Sequence, residues 1–210
     1  MGGRAGGGAG IGSGARGGGL SSQQREFLEQ TLMISPNLQF NPNLVSVKGY
    51  KGVTDQRVAA ELQEAVKMYA KEIGLAEPTQ ISLETLPKGR RGVSYGNGTI
   101  ALSKNYFGGS YDKTMKGATE LVKSGYSVET SRPIMKTIHH ELGHRTYDYL
   151  SSSSKAKVGA IFSKFSSSKS TKGWGSGSRK NVEEFFAEGM AKSLTGKSDS
   201  YTKALRKLLK

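Results

Sequence analysis

Apolar residues recur at helical spacing in four stretches of this chain. From Thr54 onward, Val58, Leu62, Val66, Tyr69 and Ile73 form one stripe, which predicts a core-facing helix of about twenty residues stopped at Gly74. Ile134, Ile138, Leu142 and Tyr149 predict a second helix, with Ser131 placed to cap it and Pro133 suited to its first turn. Val158, Ile161, Phe162 and Phe165 predict a third, between serine-rich stretches at 151–154 and 166–170. Phe185, Phe186, Met190 and Leu194 predict a fourth, entered through Asn181 with Glu184 three residues on, the spacing of a capping arrangement. Between the first and second helices the pattern alternates. Thr79–Leu83 reads as a strand, and residues 92–103 read as a β-hairpin turning at Asn97-Gly98, with the basic turn Lys88-Gly89-Arg90-Arg91 leading into it.

The ends depart from this patterning. Residues 1–20, mostly glycine with alanine, serine and two arginines, cannot bury enough apolar surface to offset the entropy of ordering and read as a flexible tail. Residues 21–33 look helical, with Ser21 and Gln24 spaced for a capping box, and Pro36 and Pro42 then predict an extended connector. At the other end Lys203, Arg206, Lys207 and Lys210 interleave with Leu205, Leu208 and Leu209, the pattern of an amphipathic helix. A chain of 210 residues has room for one domain with a substantial core plus appendages, or at most two small domains. The expected organisation is a tail at 1–20, a helix and connector at 21–53, and a folded α+β domain at 54–210.

Charge widens the range of partners. The chain carries 31 Lys and Arg against 17 Asp and Glu, a formal +14, which attracts nucleic acid, an anionic membrane surface or an acidic protein. The basic residues are spread along the chain without a recognisable nucleic-acid-binding motif, so charge distributed over solvated faces is favoured over a dedicated nucleic-acid site. No signal peptide and no segment of transmembrane length is visible, and cysteine is absent, which fits a reducing compartment.

Chemistry enters at residues 139–144, His-His-Glu-Leu-Gly-His, which hold all 3 histidines of the chain. On a helix, residues i and i+4 lie one turn apart on the same face, so His140 and His144 can meet one ion. Neutral imidazole binds zinc at about 2.0–2.1 Å, and a catalytic zinc takes three protein ligands and leaves a fourth position to water. Glu141, beside the first ligand, could take a proton from that water, whose pKa the metal lowers towards about 7. With no cysteine and no fourth histidine, the third ligand must be a carboxylate. The best candidate segment is Asn181-Val182-Glu183-Glu184-Phe185-Phe186-Ala187-Glu188. Glu184 and Glu188 share a helical face, whereas Glu183 is an alternative that projects from another.

His140-Glu141-Leu142-Gly143-His144 together with Glu184-Phe185-Phe186-Ala187-Glu188 resembles the gluzincin metallopeptidases, among them the catalytic domain of anthrax lethal factor and related phage-borne and toxin-like zincins. The resemblance spans residues 55–195. It implies a zincin-like fold, with a mixed, antiparallel-rich sheet beside an active-site helix and a helical C-terminal lobe. It implies that Glu184 joins His140 and His144 on the zinc, and that Glu188 orients a ligand histidine through its free ring nitrogen. The implied function is a zinc-dependent endopeptidase, with Glu141 activating the zinc-bound water and one arm of the hairpin holding an extended protein or peptide substrate.

One departure matters. Lethal-factor-like domains carry a tyrosine shortly before the third ligand, where it helps to stabilise the oxyanion, whereas residues 172–180 here contain none. Trp174 has the only ring in that stretch, and an indole N–H donates but cannot act as an acid; it reads as a packed aromatic or part of a substrate wall. Tyr147, Tyr95, Arg145 or His139 could supply a donor from elsewhere, although His139 points off the metal-facing side and reads as structural. The alternative expectation is a basic phage structural or packaging-associated protein whose zincin domain is a metal-stabilised module with little turnover. Intact Glu141 favours the enzyme, because a purely structural zinc has no need of a base there. Neither reading fixes the location; a cytoplasm, that of a host included, and a virion are both compatible with either.

Overall fold

Four strands and seven α-helices make up the residues described by the computed structural model, which are 50–74, 80–95, 99–169 and 171–209. In chain order they are β1 (Tyr50–Lys51), α1 (Gln56–Ile73), β2 (Gln80–Glu84), β3 (Gly92–Ser94), β4 (Thr99–Ser103), α2 (Lys104–Phe107), α3 (Tyr111–Lys123), α4 (Pro133–Tyr149), α5 (Ser152–Ser167), α6 (Val182–Thr195) and α7 (Ser200–Lys207). A 3-10 turn at Ser176–Arg179 leads into α6. The expected tail, the helix at 21–33, the prolines of the connector, Thr79, the Asn97-Gly98 turn and Lys210 lie outside the described residues.

Asp55 starts α1 by accepting the Arg57 N–H at 2.9 Å, and it also accepts the Tyr111 N–H at 2.7 Å, which ties the beginnings of α1 and α3 together. Val58, Leu62, Val66 and Tyr69 are buried as their spacing predicts, and Gly74 ends the helix at φ 77, a conformation glycine adopts without steric cost.

The sheet runs β1-β2-β4-β3. It is mixed, but the antiparallel-rich expectation is corrected: β1 with β2 and β2 with β4 are parallel, and only β3 with β4 is antiparallel. The hairpin docks through β4 rather than β3, and two chain reversals separate β2 from β4, so the docked arm runs the same way as β2. The sheet also begins earlier than the expected boundary at residue 54, because Tyr50 and Lys51 register with Ile81 and Ser82 and Val53 is buried.

Helix α4 is the element the rest of the fold covers. Every residue from Pro133 through Tyr147 is buried, and α1, α3, α6 and β3 all pack on it. A helix enclosed all round must find partners for its polar side chains, since a buried polar group without one is costly. Two details differ from expectation. The cap residue is Arg132 rather than Ser131, with the Arg132 N–H held by Thr130 Oγ1 at 2.9 Å and Pro133 in the first turn. Tyr149, on the predicted stripe, is 67 % exposed, because the helix ends there.

Asn181 caps α6 through the Glu184 N–H at 2.8 Å. Phe185, Phe186 and Met190 then bury completely, each contributing about 1.5–3 kcal/mol. Trp174 stacks on Phe185 with ring centroids 5.2 Å apart, Phe165 and Tyr201 close the cluster, and the indole N–H donates to Asp199 at 2.6 Å. Helix α7 completes this C-terminal lobe, capped by Asp199 with Thr202 and anchored by buried Leu205. Among the described residues no helix is long and apolar enough to cross a membrane.

Candidate metal centre

Three buried side chains from α4 and α6 converge. His140 Nε2 and His144 Nε2 stand 3.1 Å apart, one helical turn from each other as the spacing requires. Glu184 Oε2 lies 3.5 Å from His140 Nε2, and Glu184 Oε1 lies 3.8 Å from His144 Nε2. Atoms bound at about 2.0–2.1 Å around a tetrahedral ion stand about 3.4 Å apart, so these separations fit one zinc, and two imidazoles with a carboxylate are a donor set that zinc accepts. Glu183 is not part of the group. The approach of the two helices depends on Gly143, where a Cβ would lie 2.7 Å from the Ala187 Cα.

Behind the group, Glu188 Oε1 is 3.1 Å from His140 Nδ1 and 2.5 Å from Lys136 Nζ, and Glu188 Oε2 accepts the Val128 N–H at 3.3 Å. Facing Nδ1 towards Glu188 leaves Nε2 of His140 for a metal. Burial alone would raise the Glu188 carboxyl, but the Lys136 ammonium and His140 more than offset it and hold it at about 2. Sequence reasoning missed Lys136; the available signal is its position four residues before His140, on the same face of the helix.

Glu141 is buried beside β3. A Cβ on Gly92 would stand 2.5 Å from Glu141 Oε1, so only glycine leaves room for the carboxylate at that strand. Burial, reinforced by the Glu184 and Glu188 carboxylates against the pull of His140 and Lys136, pushes Glu141 up to about 7. Burial likewise raises Glu184.

Strand β3 is one of the two sheet edges among the described residues, the other being β1. Arg91 O accepts the Ser103 N–H and the Tyr95 N–H donates to Thr99 O, each at 2.8 Å. Strand alternation therefore turns the backbone of residues 91, 93 and 95 towards β4, and that of Gly92 and Ser94 outward.

A cleft reaches this group. Besides His140, Glu141, Glu184, Glu188 and Lys136, it is lined by Gly89, Arg91, Gly92, Leu121, Tyr126 and Thr137. The four donors nominated from sequence do not line it. Tyr95 donates to Glu84 Oε2 at 3.0 Å, Tyr147 packs on Phe186, and Arg145 lies over the Tyr149 ring. His139 Nε2 is 2.9 Å from Ala65 O, and burial lowers that ring to about 4, so it is a neutral core histidine, as its off-face position predicts. Trp174 belongs to the aromatic cluster of the lobe.

Tyr126, in the loop between α3 and α4, does line the cleft, and no local pattern announces it. The Gly177 N–H donates to Tyr126 O at 2.9 Å, a Cβ on Gly177 would come within 3.2 Å of the Tyr126 ring, and Lys180 Nζ donates to the Tyr126 hydroxyl at 2.5 Å. The glycine- and serine-rich segment before α6 is thus the seat of this ring.

Comparison with protein-family models, with curated proteins and with solved structures finds no match. Geometry and chemistry carry the functional reading.

Proposed function

We propose that the chain is a zinc-dependent endopeptidase of the gluzincin type. The observation that supports this most is the convergence of His140, His144 and Glu184, whose ligand atoms lie within 4.8 Å of one another in a buried pocket although Glu184 stands forty positions after His144 in sequence. A zinc ion held there would act as a Lewis acid on a peptide carbonyl and lower the pKa of a bound water. Glu141, desolvated at the same cleft, takes the proton of the attacking water and passes it to the departing amine. Glu188, fixed by Lys136, keeps the His140 ring oriented. The outward N–H and C=O groups of Gly92 and Ser94 give an extended peptide a strand to pair with, beside Glu141.

Zinc content by elemental mass spectrometry, for the wild type and Glu184→Ala, joined to peptide cleavage by the wild type and Glu141→Gln, tests this. The expected result is about one zinc per wild-type chain, sharply weakened by Glu184→Ala, with cleavage lost and zinc retained in Glu141→Gln. Zinc without cleavage would favour a metal-stabilised module of a basic structural protein. A wild-type chain that stays metal-free when zinc is supplied would sink both.

A further inference from the structure

We propose that the cleft selects acidic peptides, through Arg91 on the sheet side and Lys180 on the side of α6. The inference rests on the peptidase reading and adds the substrate class to it.

Two of the cleft's three carboxylates are already engaged, Glu184 beside the two histidines and Glu188 with Lys136 and His140, while Glu141 lies buried next to Gly92. Two cations remain. Arg91 is 8 % exposed; its Nη2 donates to Gly117 O at 2.6 Å, its guanidinium lies over the Tyr106 ring at 4.2 Å, and its Nε is buried with no acceptor. Among the described residues no carboxylate lies within 4 Å of it, and Glu120 acts on its charge only from farther away. A guanidinium has five N–H donors in a rigid fork suited to carboxylate, and a buried charge without a direct partner is costly, so an incoming carboxylate meets a positive charge that no contact ion pair neutralises.

Lys180 is exposed beside the cleft, bonded to the hydroxyl of Tyr126 in its wall, and among the described residues no carboxylate lies within 4 Å of it, although its charge reaches Glu184. The turn that carries Arg91 also presents exposed Lys88 and partly exposed Arg90, and Gly89, at φ 87, brings the backbone of that turn to the cleft. A peptide paired with the β3 edge starts beside Arg91, where β3 begins. Cations without ion pairs at and around the mouth of a cleft concentrate substrates of the other sign and disfavour like-charged ones.

The experiment uses the zinc-loaded full chain, a mixed peptide library read by mass spectrometry, and labelled Glu-rich and Lys-rich peptides for anisotropy with Glu141→Gln, which binds without turnover. Glu and Asp should be enriched next to cut sites, and kcat/KM for a Glu-bearing peptide should exceed that of its Lys counterpart by about tenfold or more. Lys180→Glu, at an exposed position, should reverse part of that preference even if Arg91→Met does not fold. Cleavage without acidic preference, or a preference unmoved by Lys180→Glu, overturns the inference and leaves the peptidase reading standing. Acidic-peptide binding without wild-type cleavage supports the selecting cleft and refutes the peptidase. Neither binding nor cleavage by zinc-loaded protein removes both. Competition by a short oligonucleotide as strong as by the acidic peptide would assign these cations to nucleic acid and overturn the inference.

Discussion

Tyr111 donates its phenolic proton to Glu61 Oε1 at 2.6 Å inside the α1–α3 interface, and the other oxygen of Glu61 is buried without a hydrogen bond. Burial pushes the Glu61 carboxyl up to about 7; Glu64 adds to the rise, while Tyr111 and Arg132 oppose it. The fold therefore holds the neutral acid where the unfolded chain, with the ordinary value of 4.5, has already ionised. Folded Glu61 binds more protons than unfolded Glu61 between those values, so its contribution is complete below about 4.5 and lost as pH rises through about 7. At about 1.4 kcal/mol per pKa unit the loss is about 3 kcal/mol. Urea midpoints in chelator should show wild type losing stability relative to Glu61→Gln between pH 5 and 7.5; a constant difference across that range would refute the buried neutral acid.

Lys136→Met should be severe, because it strands the ionised Glu188 in the interior. Removing one partner of a buried pair costs about 3–5 kcal/mol. Lys136→Met/Glu188→Met should recover much of that stability while zinc affinity stays about 10–100-fold down, since the orienting carboxylate is gone. Denaturant unfolding and competitive zinc titration read the two effects separately.

Gly143→Val places side-chain atoms where the Ala187 backbone already lies. Overpacking of this kind costs about 1–3 kcal/mol. Parting α4 from α6 also withdraws Glu184 from the histidines, so zinc affinity should fall with stability. Gly159→Ala is the control: nothing lies within 4 Å of its added Cβ, and a mid-helix alanine should stabilise α5 by up to about 1 kcal/mol.

Gly92→Ala should part the proposed base, Glu141, from the proposed metal ligands. The added methyl meets Glu141 Oε1 and displaces that carboxylate, while His140, His144 and Glu184 keep their places. Zinc content should be unchanged and kcat reduced about 100-fold, the scale on which a misplacement of about 1 Å acts. Equal loss of zinc and turnover would mean that β3 supports the whole site rather than the base.

Much of the scaffold was legible along the chain. The α1 stripe, the Gly74 stop, the Asn181 cap and the facing pair His140 and His144 follow from contacts within about four residues, and such contacts depend on local backbone geometry alone. The parallel pairing of β2 with β4 was not legible, because either arm of the hairpin carries an alternating pattern able to meet β2. Nor was Tyr126, whose place depends on the glycine segment 175–177 closing over it.

By itself the sequence determined helices α1, α4, α5, α6 and α7 but not α2 and α3, the two histidines one turn apart, the glutamate beside them and the excess of positive charge. Tertiary structure alone brought Glu184, already favoured over Glu183 by its helical face, up to those histidines, and it alone decided that Lys136 sits behind Glu188, that Tyr95, Tyr147 and Arg145 turn away from the cleft, and that Arg91 stays there without an ion pair. The reason is physical: spacing sets what lies within one helical turn, while meetings across forty or more residues depend on which faces can approach closely enough, and a missing side chain at Gly143 and Gly92 is what permits the approach here.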